Sequence, residues 1–213
     1  MIKKKFCLVG VDNDFIDFIQ RNSSLFLGYF SHKKKHYNLV KRKKWLGEHN
    51  ILTWKKIKKK YNPIIIINID EGKVREKLYK KIYKKNYKNI IFKNSFISKT
   101  SKSNLNKKNG VIIQDHVKIM PCVNINSGSK INIGAQIHHD CKIGKFVTIA
   151  PKAVLLGNVK IADFCYIGAN STVKQNIKIG KGAIVGAGAV VTKNVKSFDV
   201  VVGKPAKSIK KNK

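Results

Sequence analysis

The sequence predicts a small parallel α/β domain followed by a parallel β-helix with a six-residue repeat. Two observations lead to this fold class. Strand patterns alternate with helical patterns before residue 94, and a strict six-residue period runs through residues 111–195. In that period every sixth residue is aliphatic, at Ile113, Ile119, Ile125, Ile131, Ile137, Ile143, Ile149, Leu155, Ile161, Ile167, Val173, Ile179, Val185 and Val191.

This period excludes the common alternatives to a β-helix. A helix repeats every 3.6 residues or so and an amphipathic strand roughly every two, and neither keeps a six-residue register for so long. Three units of six residues make one coil of eighteen with three short strands. The aliphatic residue fills the coil, and a small residue four positions later, such as Ala135 or Ala153, fits the corner. Both open ends of such a stack need covers.

The amino-terminal domain is predicted from alternating patterns. A buried strand over residues 4–9 ends at Gly10, and a helical spacing follows at Phe15, Ile16 and Ile19. The alternation is typical of a small Rossmann-like parallel sheet, whose ligands bind beyond the carboxyl ends of its strands. The later elements expected are a strand at 25–30, a loop at 32–44, a helix at 51–61, a strand at 64–69, a helix at 70–85 and a last strand beginning at 90–91.

These patterns divide the chain into domains at residues 1–94 and 111–213. Residues 95–110 are rich in Ser, Lys and Asn without a sustained period, and we predict that they form a linker. After the coils, residues 197–207 read as a loop, a short strand and a turn that cap the open end. The lysine-rich tail beyond them is predicted to be disordered.

The formal net charge of +34 would suit nucleic acid or an anionic surface. However, only three basic residues are arginines, namely Arg21, Arg42 and Arg75, and base-reading proteins rely on arginine forks. The lysines are spread along the whole chain. We therefore attribute the charge to a compositional bias, with a secondary benefit for phosphorylated substrates left open, and predict no specific nucleic-acid partner.

The remaining composition points to a cytoplasmic protein. No stretch reaches the length of a membrane span, and the apolar run over residues 6–11 is too short for a signal peptide. The four cysteines lack a CxxC spacing. Cys141 and Cys165 fall in the inward slots of the coils, which predicts reduced core thiols.

The coils carry one polar cluster, His138-His139-Asp140, on the outward side of a corner. One coil beyond His139 lies Gly157, so the residue stacked against the imidazole has no side chain. A metal site is disfavoured because Cys141, the fourth ligand type in this run, faces inward. His139 oriented by Asp140 has the chemistry of a general base, but an exposed histidine needs no function, and the residues alone leave both interpretations open.

A second edge of the predicted prism carries small residues. A step of eighteen residues aligns Ala150-Pro151 with Gly168-Ala169 and with Gly186-Ala187. Such a column makes a smooth groove parallel to the axis of the β-helix. The groove suits a long, thin acyl carrier such as the pantetheine arm of coenzyme A.

Six segments of the coils and cap carry a family pattern, at residues 137–144, 150–153, 157–159, 167–169, 185–192 and 202–207. They resemble the hexapeptide sugar acetyltransferases, in the branch of sialic acid O-acetyltransferases and UDP-4-amino-sugar N-acetyltransferases of bacillosamine-type pathways. The resemblance implies a left-handed β-helix, a homotrimer and acetyl-CoA as co-substrate between adjacent solenoids, without a metal. It also implies site residues, with His139 as catalytic base, Asp140 as its orienting acid, and Gly157, Ala169, Gly186 and Ala187 along the CoA groove.

The resemblance further implies that the amino-terminal domain binds the sugar nucleotide. The predicted substrate contacts are Gly10, Asp12, Asn13, Asp14 and Asp70. The chain departs from the family in this part, because Asp14 stands where a histidine is usual. A histidine common after the catalytic one is replaced by Thr148.

The predicted function is acetyl-CoA-dependent N-acetylation of a UDP-4-amino sugar in surface glycan synthesis. Two alternatives remain open at this point. One is O-acetylation of a sialic-acid-like sugar, and the other is a non-catalytic trimeric solenoid that binds an anionic partner through its lysines.

Overall fold

The computed structural model describes residues 4–10, 15–30, 46, 51–81 and 87–212. The chain divides into two compact units. The first contains Met1–Ile69 and Val74–Ile90, and the second contains Asp70–Lys73 and Ile91–Lys213. The stretch Asp70–Lys73 therefore belongs with the β-helix, although the sequence patterns group it with the amino-terminal domain.

The first unit is built on three parallel strands in the order β2-β1-β3. Strands β1 and β3 are buried along their whole length, as a parallel sheet covered on both faces requires. The predicted small Rossmann-like sheet is confirmed. Its strands are β1 (Phe6–Val9), β2 (Phe26–Phe30) and β3 (Ile64–Ile67), and the helices that follow them in the chain are α1 (Ile16–Arg21), α2 (Ile51–Tyr61) and α3 (Gly72–Lys81), with a 3-10 turn at Ser23–Leu25.

The second unit is a parallel β-helix with three faces. The first face has the strands β5 (Phe96–Ile97), β7 (Lys118–Ile119), β10 (Gln136–Ile137), β13 (Val154–Leu155), β16 (Thr172–Val173) and β19 (Val190–Val191). The second face has β8 (Asn124–Ile125), β11 (Lys142–Ile143), β14 (Lys160–Ile161) and β17 (Lys178–Ile179). The third face has β4 (Ile90–Ile91), β6 (Ile112–Ile113), β9 (Lys130–Ile131), β12 (Thr148–Ile149), β15 (Tyr166–Ile167), β18 (Ile184–Val185), β20 (Asp199–Gly203) and β21 (Ala206–Lys211).

The strand register has the predicted step of eighteen residues. On the first face Gln136 pairs with Val154 and Val154 with Thr172, and the other two faces follow the same rule. The aliphatic residues of the six-residue period point inward and form one continuous core. Burial of this apolar column is the main force that stabilises the coils. The predicted β-helix is confirmed.

Each corner of the β-helix places one residue at positive φ. The position recurs every six residues, three after the inward aliphatic residue. Glycine and asparagine together occupy seven of these thirteen positions, since both tolerate the left-handed region better than most residues. The corner residues are His116, Cys122, Gly128, Gly134, Asp140, Phe146, Lys152, Asn158, Phe164, Asn170, Asn176, Gly182 and Gly188.

The amino-terminal end of the β-helix is covered by residues that we expected to be a linker. Within 95–110, strand β5 pairs with β7, and helix α4 (Lys99–Asn106) follows. Ser98 caps this helix, and the Ser101 hydroxyl donates to the Met120 carbonyl at 2.7 Å. Leu105 joins the solenoid core. The linker prediction is therefore replaced by a capping strand and helix.

Two further expectations are corrected by the strand order. Ile90–Ile91 is the edge strand of the third face and not a fourth strand of the amino-terminal sheet. At the other end, β20 pairs with β18 in parallel, and β21 folds back on β20 as an antiparallel hairpin. The tail that we expected to be disordered thus forms a strand as far as Lys211, whose ammonium pairs with the buried Asp199 carboxylate.

Candidate active site

His139 lies at the corner between the first and second faces, two residues after the end of β10. Its side chain is 63% exposed. The next residue, Asp140, occupies the positive-φ corner position, with φ of 62°. This turn brings the Asp140 Oδ2 to 2.8 Å from the His139 Nδ1. When Nδ1 carries the proton and donates it to Asp140, Nε2 is left as a hydrogen-bond acceptor.

The structure brings His139 and Gly157 together, as the eighteen-residue step predicts. A Cβ on Gly157 would lie 2.7 Å from Cε1 and 2.8 Å from Nε2 of His139. Only glycine therefore leaves room for the imidazole in its present position. Among the described residues, the Gly157 N–H donates no hydrogen bond, although its carbonyl accepts from Asn176 at 3.0 Å. The Nε2 atom thus lies against an open stretch of backbone.

The predicted column of small residues lies on a different edge, between the third and first faces. A Cβ on Gly168 would lie 2.6 Å from the Gly186 carbonyl carbon and 2.6 Å from the Ala187 nitrogen. Glycine at 168 is therefore required by the close approach of successive coils, independently of any ligand. Ala169 is half-buried and Ala187 is exposed. Because this edge differs from that of His139, a single chain does not join the groove to the base.

The amino-terminal sheet ends in a close contact between two strand termini. Gly10 follows β1 with φ of 70°, and a Cβ there would lie 2.8 Å from the Asn68 carbonyl oxygen. The Asn68 N–H donates to Val9 at 2.8 Å. Gly10 is therefore needed by the backbone itself. The other predicted contacts of this loop, Asp12, Asn13 and Asp14, lie outside the described residues.

Asn68 is a candidate that the sequence patterns missed. It follows β3, at the carboxyl end of the sheet, and is 5% exposed. Within the described part of the chain, neither its side-chain nitrogen nor its oxygen has a hydrogen-bond partner. Buried polar groups are nearly always paired, so this unpaired amide at the carboxyl edge of a parallel sheet makes Asn68 a candidate for a ligand contact. In the sequence, an asparagine after four isoleucines indicates only the end of a strand, so no sequence signal marked Asn68 as a site residue.

Asp70 was predicted to contact the substrate, and the structure gives its carboxylate another partner. The Lys130 ammonium lies 2.8 Å from the Asp70 Oδ1, and Lys130 is 1% exposed. The Thr148 hydroxyl donates to the Asp70 carbonyl at 2.6 Å. Tyr166 pairs with Thr148 on the adjacent strand. Its pKa is raised by burial and, to a smaller extent, by the charge of Asp70. A substrate contact for Asp70 stays a prediction beside this structural role.

Cys7, Cys141 and Cys165 are buried free thiols, whereas Cys122 is exposed. Burial raises the pKa of Cys7 and of Cys165 to about 12, and that of Cys141 to about 11. The Cys141 thiol points inward and donates to the Leu156 carbonyl at 3.2 Å. In the described ranges, no group of three His, Cys, Asp or Glu residues could hold a metal ion. None of the helices described is long and apolar enough to cross a bilayer.

Comparison with known proteins agrees with this architecture. Residues 158–193 match the family model described as bacterial transferase hexapeptide, six repeats. No curated protein has a sequence that matches the chain.

Several solved structures are similar over nearly the whole chain. A mutant of GDP-perosamine N-acetyl transferase from Caulobacter crescentus, in complex with CoA and GDP-perosamine, is 20% identical, with 98% of each chain covered and a TM-score of 0.83. The acetyltransferase domain of PglB from Neisseria gonorrhoeae FA1090, in complex with acetyl coenzyme A, is 18% identical, with 97% of this chain and 99% of that chain covered and a TM-score of 0.80. WeeI from Acinetobacter baumannii AYE is 26% identical, with 96% and 99% covered and a TM-score of 0.71. The chain therefore carries the hexapeptide repeat of bacterial transferases and has the fold of these proteins, a left-handed β-helix after a small parallel α/β sheet.

Proposed function

We propose that the chain is an acetyl-CoA-dependent N-acetyltransferase that acts on a nucleotide-linked amino sugar. The observation that carries this proposal is the His139 imidazole, fixed by Asp140 and facing the bare backbone at Gly157. Two of the similar structures support it, because one is a GDP-perosamine N-acetyl transferase with CoA and GDP-perosamine and the other an acetyltransferase domain with acetyl coenzyme A. A 4-amino sugar linked to UDP remains the favoured acceptor.

The proposed reaction is a direct transfer. The acceptor amine attacks the thioester carbonyl, and a C–N bond forms as the C–S bond breaks. His139 Nε2 takes the proton from the attacking nitrogen and returns it to the departing CoA sulfur. The Gly157 N–H stabilises the oxyanion of the tetrahedral intermediate, since this donor is left without another acceptor in the described structure. Asp140 keeps the imidazole in the tautomer that leaves Nε2 free.

We propose a homotrimer, in which the groove of one chain meets the His139 corner of its neighbour. The two edges are separate in one chain, so acetyl-CoA bound along Ala169 and Ala187 needs a second copy to reach the base. The outward strand positions of the first face between these edges carry Val154, Thr172 and Val190, which are only half-buried in one chain. These uncharged residues suit a contact with another copy.

We further propose that the nucleotide of the acceptor binds at the carboxyl ends of β1 and β3, where Gly10 turns and Asn68 offers an unpaired amide. The activity belongs in the cytoplasm, where acetyl-CoA and nucleotide sugars are made. The product serves surface glycan synthesis.

The test measures CoA release with a panel of UDP-, GDP- and dTDP-linked amino sugars and a sialic-acid-like hydroxyl acceptor. His139→Ala is expected to lower kcat by about 10²- to 10⁴-fold, the usual contribution of a general base, with the oligomer intact. His116→Ala is the matched control, because His116 is also an exposed corner histidine. Near-normal turnover of His139→Ala would refute the assigned base, and acetylation of the hydroxyl acceptor alone would refute N-transfer.

A further inference from the structure

The second face of the β-helix carries three lysines in register. Lys142 pairs with Lys160 and Lys160 with Lys178 on the adjacent parallel strands β11, β14 and β17. All three residues are exposed. Because neighbouring strands lie about 4.8 Å apart, the three side chains leave the sheet as a close row. We call Lys142, Lys160 and Lys178 the lysine ladder.

The lysine ladder has no counter-charge in the described structure, where none of its three ammonium groups forms an ion pair. Like charges directly opposite one another destabilise a sheet. The neighbouring column at the corner avoids this problem, because it reads Lys145, Asp163, Lys181 with alternating sign. Asp163 is the one acidic residue among those that line the depression beside the ladder in the described part of the chain, and its carboxylate accepts from the Lys145 backbone N–H at 2.7 Å.

Compositional bias does not explain the ladder, because the other two faces differ. The corresponding outward positions of the first face are Lys118, Gln136, Val154, Thr172 and Val190. Those of the third face are Ile112, Lys130, Thr148, Tyr166 and Ile184. Each of these two sets of five positions contains a single lysine, and Lys130 pairs with Asp70. Among the described parallel strands of the coils, three lysines in register occur on the second face alone, and the lysines of the third face's carboxyl-terminal hairpin belong to the antiparallel strand β21.

The lysine ladder lines a depression of about 490 Å³. Gly144 and Ala162, which carry little or no side chain, also line this depression. Lys181 lines it too, and its ammonium group lies 5.8 Å from the centre of the Phe164 ring. The depression is shallow and open, and its volume leaves room for a small molecule. The depression lies one face away from the groove proposed for acetyl-CoA.

We propose that the lysine ladder is a binding site for a small anion with two or three consecutive phosphate groups, such as a free polyphosphate or a nucleoside polyphosphate. The phosphate chain lies parallel to the axis of the β-helix, so that each coil contributes one ammonium group. Lysine suits this role as a flexible point charge, whereas arginine would read a fixed planar partner. This inference does not depend on the proposed acetyltransferase activity.

The test uses isothermal titration calorimetry of the full chain with sodium tripolyphosphate, and with a nucleoside triphosphate in a second arm. The variant replaces Lys142, Lys160 and Lys178 with glutamine. The control variant replaces Lys102, Lys107 and Lys118 with glutamine. These three lysines are also exposed, so the control loses the same amount of charge as the ladder variant. We expect one tripolyphosphate to bind per chain. The Kd should be about tenfold or more higher in the ladder variant, and it should change by less than about threefold in the control variant. Circular dichroism establishes that both variants keep the fold.

The two arms identify the source of the phosphates. Equal affinity for both probes means that the phosphate chain alone is bound, and tighter binding of the nucleoside triphosphate means that the base also occupies the depression. Equal weakening by the two triple variants would overturn the site, as would absence of tripolyphosphate binding. Displacement of tripolyphosphate by saturating CoA would assign the lysines to the CoA site, and binding of anionic vesicles without tripolyphosphate would assign them to a membrane. Either result rejects the proposal.

Discussion

His139 acquires its setting from the residue that follows it and from the residue one coil later. Asp140 is the corner residue at positive φ, a conformation that aspartate tolerates better than most side chains, and this places its carboxylate beside Nδ1. Gly157 has no Cβ to push the ring away. The base, its orienting partner and its free space therefore follow from three backbone positions of a regular repeat.

Gly157→Ala tests this arrangement, because the new methyl group would meet the ring at 2.7 Å and turn it from its position. We expect kcat to fall by about 10²-fold, the cost of a misplaced catalytic group, while the free energy of unfolding stays within about 0.5 kcal/mol of the wild type. Steady-state kinetics and urea unfolding measure the two quantities. An unchanged kcat would show that the ring position is not critical.

Asn68→Ala tests whether Asn68 binds the acceptor or only stabilises the fold. The substitution removes two buried polar atoms that have no partner in the described structure, so the free energy of unfolding should not decrease. The KM for the acceptor should rise by roughly tenfold, since one or two hydrogen bonds to the ligand are lost. The KM for acetyl-CoA should not change. A destabilised protein with normal acceptor KM would give Asn68 a purely structural role.

Regular elements could be predicted from the sequence where a period repeats, and less well where it does not. The coils were predictable because each inward aliphatic residue recurs every six positions. The capping segment 95–110 was not, since strand β5 has two residues and α4 only eight, too few to display a period. Its one readable signal was Ser98, the residue that caps α4. Ile90–Ile91 was assigned to the wrong sheet because two isoleucines carry no information about their neighbours.

The candidate site could likewise be predicted from the sequence only where the eighteen-residue step determines which residues are neighbours. Stacking by eighteen residues places His139 against Gly157 without any knowledge of the structure. Asn68 was missed because pairing of a buried amide depends on contacts distant in sequence. The same holds for Asp70, whose partner Lys130 lies sixty positions away.

The segment Asp70–Lys73 is fastened to the third face by the pair of Asp70 and Lys130, and we predict that this pair is coupled. Asp70→Asn removes the carboxylate that pairs with the buried Lys130 ammonium group. We expect it to lower the free energy of unfolding by about 1–3 kcal/mol, which is less than the loss of a fully buried pair because the Asp70 side chain is half exposed. Adding Lys130→Met should restore most of the loss. Urea unfolding of the two single variants and the double variant measures the coupling, and strictly additive effects would contradict it.

For the whole molecule, the separation of base and groove on two edges predicts complementation between subunits. His139→Ala removes the base, and Ala187→Trp blocks the groove at an exposed position. Each variant alone should be inactive. Mixed trimers made by co-expression should regain about a quarter of the wild-type activity, since one interface in four then joins an intact base to an intact groove. No recovery in verified mixed trimers would place both halves of the site in one chain.

The step of eighteen residues has a consequence for how such a chain can change in length. Deleting one residue inside a strand would turn every later isoleucine outward and misalign all subsequent rungs. Removing or duplicating a whole turn of the spiral would preserve the alignment and only shorten or lengthen the prism. The β-helix can therefore tolerate insertions and deletions of one complete turn, but not of single residues within a strand.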